Sequence, residues 1–207
     1  MIHRPNVAMD APPASVEVGG NSYIVNTDFT VWIDILKRMR QLYSDPATLD
    51  EALHNKQVLT DIQKLAFGKV LENETLGDVI GSIVRFAGGY PHFDKVHDET
   101  EPQPESPSDD DVSFDFDLDL NAIVITMRMQ YGLDLSFSRQ EPFHWWLFLL
   151  YFENLNDSSV LAKKMQIRTY TGDNKEMLRQ KSRARLPYEP TADEQKKIDE
   201  FNRVFGD

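Results

Sequence analysis

The amino-acid sequence predicts a mainly α-helical protein, a helical bundle with a small N-terminal β-hairpin. Three observations carry that prediction. Apolar residues recur at three- and four-residue intervals through most of the chain. Convincing strand-like alternation occurs in one place, on either side of Gly19-Gly20-Asn21. The stretch from Phe143 to Phe152 is apolar almost throughout, so a helix drawn through it has no face to turn to water. Such a helix is either the centre of a core or the contact surface of an assembly.

The elements follow in order. Residues 1–14 hold Pro5, Pro12 and Pro13 and no apolar run, so a disordered tail is expected there rather than a signal peptide. Ser15-Val16-Glu17-Val18 and Tyr23-Ile24-Val25-Asn26 alternate with the strand period, and the glycines between them tolerate positive φ. Asn26-Thr27-Asp28 offers helix caps, and Trp32, Ile35, Leu36, Met39, Leu42 and Tyr43 predict a helix over 28–43. Residues 47–56 are polar, with a weak helical pattern in Leu49, Ala52 and Leu53. Val58, Leu59, Ile62, Leu65, Ala66 and Val70 predict a helix over 57–71, which Gly68 would weaken by up to about 1 kcal/mol. Leu76, Val79, Ile80, Ile83 and Val84 predict another over 75–87, stopped by Gly88-Gly89-Tyr90-Pro91. Hairpin and helices together make an N-terminal segment, 15–93.

Residues 94–113 have the composition of a disordered acidic linker, rich in carboxylates and proline and almost without apolar residues. The C-terminal helical segment, 114–207, follows. Leu120, Ile123, Val124, Met127 and Tyr131 share one helical face, and Gly132 is placed to close that helix. Pro142 suits the first turn of the central helix. Val160, Leu161, Met165 and Ile167 predict a short helix, residues 174–185 a basic one, and Thr191 to Glu194 a capping box before Ile198, Phe201 and Phe205.

Composition bounds the function. With 207 residues, 41% of them apolar, the chain has material for a core without metal or disulfide support. It contains no cysteine, which removes thiol chemistry. The run at 143–152 is about half of the roughly 20 residues that span a bilayer, so no membrane partner is expected. The formal charge of −12 argues against nucleic-acid binding by the whole chain. That charge is uneven. Asp94 to Asp119 holds eleven acidic residues and one lysine, and Lys163 to Arg185 holds eight basic residues and two acidic ones. Such segments are ordinarily solvated; a sharper reading is that they attract one another, or that each attracts a different partner.

The inventory of chemistry is sparse. No histidine pair has metal-ligand spacing on a helix, and His92, Asp94, His97 and Asp98 fit no ligand frame. There is no phosphate-binding glycine loop and no nucleophile elbow. Asp115, Asp117, Asp119 and Asp134 read as acidic residues favoured at helix starts rather than as paired catalytic carboxylates. His144 is expected to hydrogen-bond within a packed helix rather than act as a base. Neither an enzyme nor a cofactor is expected.

Phe114-Asp115-Phe116-Asp117, then Gln130-Tyr131-Gly132-Leu133-Asp134-Leu135, then Phe143-His144-Trp145-Trp146-Leu147-Phe148, and then Met165-Gln166-Ile167-Arg168-Thr169-Tyr170 form a pattern that resembles the bacteriophage gene-product-fifteen family. The resemblance covers roughly residues 15–185. The chain departs from the family pattern at Phe143, where leucine is usual, and at Ile167-Arg168-Thr169-Tyr170, where a Tyr-Arg pair is common. The resemblance implies a gene beside that of the tape-measure protein of tailed phages, the slot of tail assembly chaperones. Such a chaperone works in the host cytoplasm and is absent from the finished virion. Its partner is the tape-measure protein, with the tail-tube protein and self-association as further contacts; the alternative is a minor tail or connector component that stays in the particle. A chaperone for a helical rod needs apolar surface that accepts amphipathic helices. Trp145, Trp146, Phe148 and Phe152 are suitable anchors. With Tyr131, His144 and Leu149 they form the expected partner-contact set.

Overall fold

Residues 11–44, 46–89, 113–136, 141–186 and 190–205 are described here from a computed structural model. Two strands and eight helices lie among them. They are β1 (Ser15–Val18), β2 (Asn21–Ile24), α1 (Phe29–Met39), α2 (Leu49–Phe67), α3 (Leu76–Ala87), α4 (Phe116–Tyr131), α5 (Trp145–Glu153), α6 (Val160–Arg168), α7 (Lys175–Ala184) and α8 (Ala192–Phe205). The protein is mainly α with one antiparallel hairpin, as the periodicity predicts. The acidic linker, apart from Ser113, and most of the N-terminal tail lie outside the described residues, as do His92 and His97.

The chain forms two compact units. Unit 1 takes Met1–Tyr90, Pro142–Phe148 and Glu189–Asp207; unit 2 takes Pro91–Glu141 and Leu149–Tyr188. These units do not follow the bounds 15–93 and 114–207. The first turn of α5 and all of α8 belong with the N-terminal elements. The cause is backbone and polar pairing at long sequence range. The Phe29 N–H donates to the Phe143 carbonyl at 2.9 Å, and the Trp145 N–H donates to the Thr27 carbonyl at 2.7 Å. At the start of α8, Asp193 accepts from the Ser44 N–H at 3.0 Å, and Lys196 pairs with Glu51 at 3.1 Å.

Several boundaries move for identifiable reasons. The hairpin turn is two residues, Gly19 and Gly20, both at positive φ (56° and 85°), which matches the twist of paired strands. Asn21 thus pairs with Val18 instead of lying in the turn. α1 stops at Met39, short of Leu42 and Tyr43, because Asn55 takes both backbone groups of Tyr43, accepting from its N–H at 2.9 Å and donating to its carbonyl at 2.8 Å. The weak pattern over 47–56 and the strong one over 57–71 are one helix, α2, begun by a Thr48–Glu51 capping box. Its first half reads as polar because Leu49 and Leu53 are 75% and 53% exposed. Gly68 does not weaken that helix; it ends it, as a left-handed C-cap at φ 70°. α5 begins at Trp145 rather than at Pro142, because Phe143 and His144 are held extended against Thr27–Phe29, with Asp28 and His144 in a β-bridge.

The core of unit 1 is aromatic. Phe29, Trp32, Phe86, Trp145 and Phe148 are almost wholly excluded from solvent. Phe29 stacks on Phe148 at 4.8 Å and Trp32 lies 4.6 Å from Phe86, centroid to centroid. Burying several such rings at 150–250 Å² each supplies much of the apolar driving force for this unit.

Candidate functional site

The seven residues expected to meet a partner fall into both units, and the structure gives most of them a defined intramolecular role. His144, Trp145, Trp146 and Phe148 belong to unit 1. The His144 Nδ1 accepts from the Trp146 N–H at 3.0 Å, which caps the start of α5. Its Nε2 lies 3.0 Å from the Pro13 carbonyl, so the neutral ring with the proton on Nε2 satisfies both contacts. Burial lowers the His144 pKa, and the Pro13 carbonyl only partly opposes that. The two indole N–H groups donate to consecutive carbonyls at the end of α3: Trp145 to Ala87 at 3.0 Å and Trp146 to Phe86 at 2.8 Å. Carbonyls at a helix C-terminus have no partner within the helix, so adjacent tryptophans on α5 close off α3. Trp145 and Phe148 are buried core; Trp146 is half-buried.

Tyr131, Leu149 and Phe152 belong to unit 2 and are each half-buried. The Tyr131 hydroxyl donates its one proton to the Asn154 carbonyl at 2.5 Å, with the Tyr151 carbonyl 3.2 Å away. Gln130 donates to the same Asn154 carbonyl at 3.0 Å and accepts from the Asn156 N–H at 2.8 Å. The Gln-Tyr pair at the end of α4 therefore closes α5, as the tryptophans on α5 close α3. Phe152 lies 5.0 Å from Phe114 and 5.8 Å from Phe116. This uses the Phe-Asp-Phe stretch as a ring cluster.

The acidic residues at the start of α4 divide in role. Asp115 caps α4, accepting from the Leu118 N–H at 2.9 Å. Asp119 is not placed for the helix dipole: it is 0% exposed and paired with Arg168, which is 8% exposed. Arg168 also donates from Nε to the Ala184 carbonyl at 2.8 Å and from Nη1 to the Ser113 carbonyl at 3.2 Å. Lys164 approaches the same carboxylate at 3.4 Å. Burial pushes the Asp119 carboxyl up, but Arg168, the Asp115 N–H and Lys164 together outweigh it and hold the pKa below the ordinary value. Arg168 thus ties Asp119 on α4 to the end of α7 and to Ser113, and removing either partner would leave the other charge buried without it.

Residues that periodicity did not single out are more exposed than those that it did. On α4 the buried arc is Asp119, Ala122, Ile123, Thr126 and Met127. Leu118, Ile125 and Met129 are 53%, 52% and 79% exposed. At 3.6 residues per turn they form a second apolar stripe beside the buried one. The signal was present as i, i+7, i+11 spacing, but the stronger stripe of Leu120, Ile123 and Met127 obscured it.

Among the described residues no group of His, Asp or Glu could hold a metal ion, and no helix is long and apolar enough to cross a membrane. A family model described as Bacteriophage Gp15 protein matches residues 9–187. No curated protein and no solved structure matches the chain.

Proposed function

Because the chain belongs to the Bacteriophage Gp15 protein family, we propose that it is a tail assembly chaperone that binds the tape-measure protein and keeps it soluble while the tail tube forms. The observation that carries the reading is the outer stripe of α4, Leu118, Ile125 and Met129, left exposed beside a fully occupied inner face. An amphipathic helix docks by laying its apolar stripe on such a surface, with anchors at helical spacing. A flexible methionine on the stripe suits a surface that accepts many similar helical segments. The half-buried Leu149 and Phe152 extend the set that a partner can reach; Trp145 and Phe148 serve the fold. The protein acts in this reading as a binding protein without catalysis, in the host cytoplasm, with self-association as a second use of exposed apolar surface.

Co-expression with the tape-measure protein tests the proposal. Soluble tape measure should co-purify with the wild-type chain. The triple variant Leu118→Ser, Ile125→Ser, Met129→Ser should lose it while keeping its circular dichroism. Tape measure that is equally soluble with the triple variant would remove α4 from the reading. Mass spectrometry of purified particles should find the protein missing; stoichiometric presence would favour the minor tail component instead.

A further inference from the structure

We propose that the outer face of α7 is the docking site for the chain's own acidic segment, residues 94–111. The inference does not depend on the chaperone reading. Lys175, Arg179 and Arg183 follow one another at four-residue spacing and are all exposed, on a helix that buries none of its residues. They form one line of positive charge on a protein whose formal charge is −12, offset on the helix itself only by Glu176, 3.9 Å from Arg179 and likewise exposed to solvent. Interaction with the helix macrodipole does not explain the line. It favours cations at a helix C-terminus, and Lys175 stands at the first position of α7.

The occupant follows from where the acidic segment ends. Residues 94–111 contain eight carboxylates and one lysine. The chain re-enters the described structure at Ser113, whose carbonyl accepts from Arg168 Nη1 at 3.2 Å. The same guanidinium donates from Nε to the Ala184 carbonyl, the last residue of α7, at 2.8 Å. One side chain thus holds the exit of the acidic segment beside the C-terminal end of the basic helix. From Ser113 an extended backbone covers about 3.3–3.6 Å per residue, so Asp109 to Asp111 lie within about 14 Å of that joint. A ten-residue helix is about 15 Å long, so the three aspartates reach Arg183 and Arg179, and the carboxylates before them reach Lys175. Exposed ion pairs are individually weak. Tethering raises their effective concentration to the millimolar range, so the contact forms as a set and weakens as salt rises.

Zero-length carbodiimide cross-linking of the full-length protein, followed by peptide mapping of the monomer band, tests this. The ion pair Glu51–Lys196, at 3.1 Å, is the internal positive control. A link between the segment 94–111 and Lys175 is expected at low ionic strength. It should be lost in about 1 M salt, where the Debye length is about 3 Å. It should also be lost in Arg179→Glu/Arg183→Glu, which leaves Lys175 in place. Asp109→Asn/Asp110→Asn/Asp111→Asn should weaken the link as well, and that variant touches no described residue. Failure to link Lys175 while the control forms would overturn the proposal, as would a link that survives in both variants. A link confined to the dimer band would overturn docking within one chain.

Discussion

Unit 1 closes around rings, with Phe29, Trp32, Phe86, Trp145 and Phe148 shut away from solvent, whereas unit 2 sets a charge pair, Asp119 with Arg168, among buried Ile123, Met127 and Leu161. The first design rests on apolar area, which gains stability in proportion to what it hides. The second rests on a match between two desolvated groups. It stabilises only while both partners are present and the remaining donors and acceptors are satisfied. Arg168 meets that condition by reaching Ser113 and Ala184 as well as Asp119. The difference extends to the surface. In unit 2, α4 keeps Leu118, Ile125 and Met129 in solvent while its inner face contains the Asp119 carboxylate.

The largest expected effect breaks the charge pair. Arg168→Ala leaves the buried Asp119 with Lys164, at 3.4 Å, as its remaining cation, and should cost about 3–5 kcal/mol. Replacing both, as Asp119→Leu with Arg168→Met, should recover most of that loss, because a well-packed apolar pair has no desolvation cost to offset. All three tryptophans, Trp32, Trp145 and Trp146, lie in unit 1. Tryptophan fluorescence therefore follows unit 1, and far-ultraviolet circular dichroism follows both. In urea, Arg168→Ala should lower the dichroism midpoint more than the fluorescence midpoint. Equal shifts would mean that the two units unfold as one.

A smaller effect tests the ring core. Trp145→Phe keeps an aromatic ring but leaves the Ala87 carbonyl without its indole donor, and should cost about 1–3 kcal/mol. The fluorescence midpoint is the readout. No change would mean that the indole N–H does not close α3 and that ring packing alone accounts for Trp145.

Helices and hairpin were legible because their periods are local. Capping was legible at Thr191–Glu194, but the equally local Thr48–Glu51 box was not, because the apolar pattern after it is weak. Gly68 was misread because a glycine inside a helix and one just past its end look the same until the pattern stops, and Val70 prolonged the pattern. The division into units was not legible. It depends on backbone pairing of Phe143 and Trp145 with Thr27–Phe29, and backbone groups carry no sequence signature. The family-distinguishing residues were visible as a motif, but their work was not. His144, Trp145, Trp146, Gln130 and Tyr131 all serve helix ends, and a side chain that caps a distant helix reads in sequence like an anchor for a partner. The outer stripe of α4 was hidden by its stronger neighbour.

Acid separates the two units most finely, and the signs differ in origin. Asp119 has a lowered pKa in the folded state. Its contribution is fully present above the ordinary aspartate value of 3.8 and is lost as pH falls below that, through the lowered value. His144 also has a lowered pKa, but it is a base kept neutral by burial. The unfolded chain takes up a proton below 6.5 while the folded ring resists it, so stability declines as pH falls from 6.5 toward the lowered value. Protonation also puts a hydrogen on Nδ1, where the Trp146 N–H now donates. Unit 1 should therefore begin to soften at a higher pH than unit 2, although its core contains no ion pair. Fluorescence-monitored urea midpoints should slope downward below pH 6.5 in the wild type and flatten in His144→Gln, and dichroism midpoints, which average both units, should fall less steeply over the same range. A slope that persists in His144→Gln would assign the effect to other groups and leave the His144 contact with Pro13 a matter of packing alone.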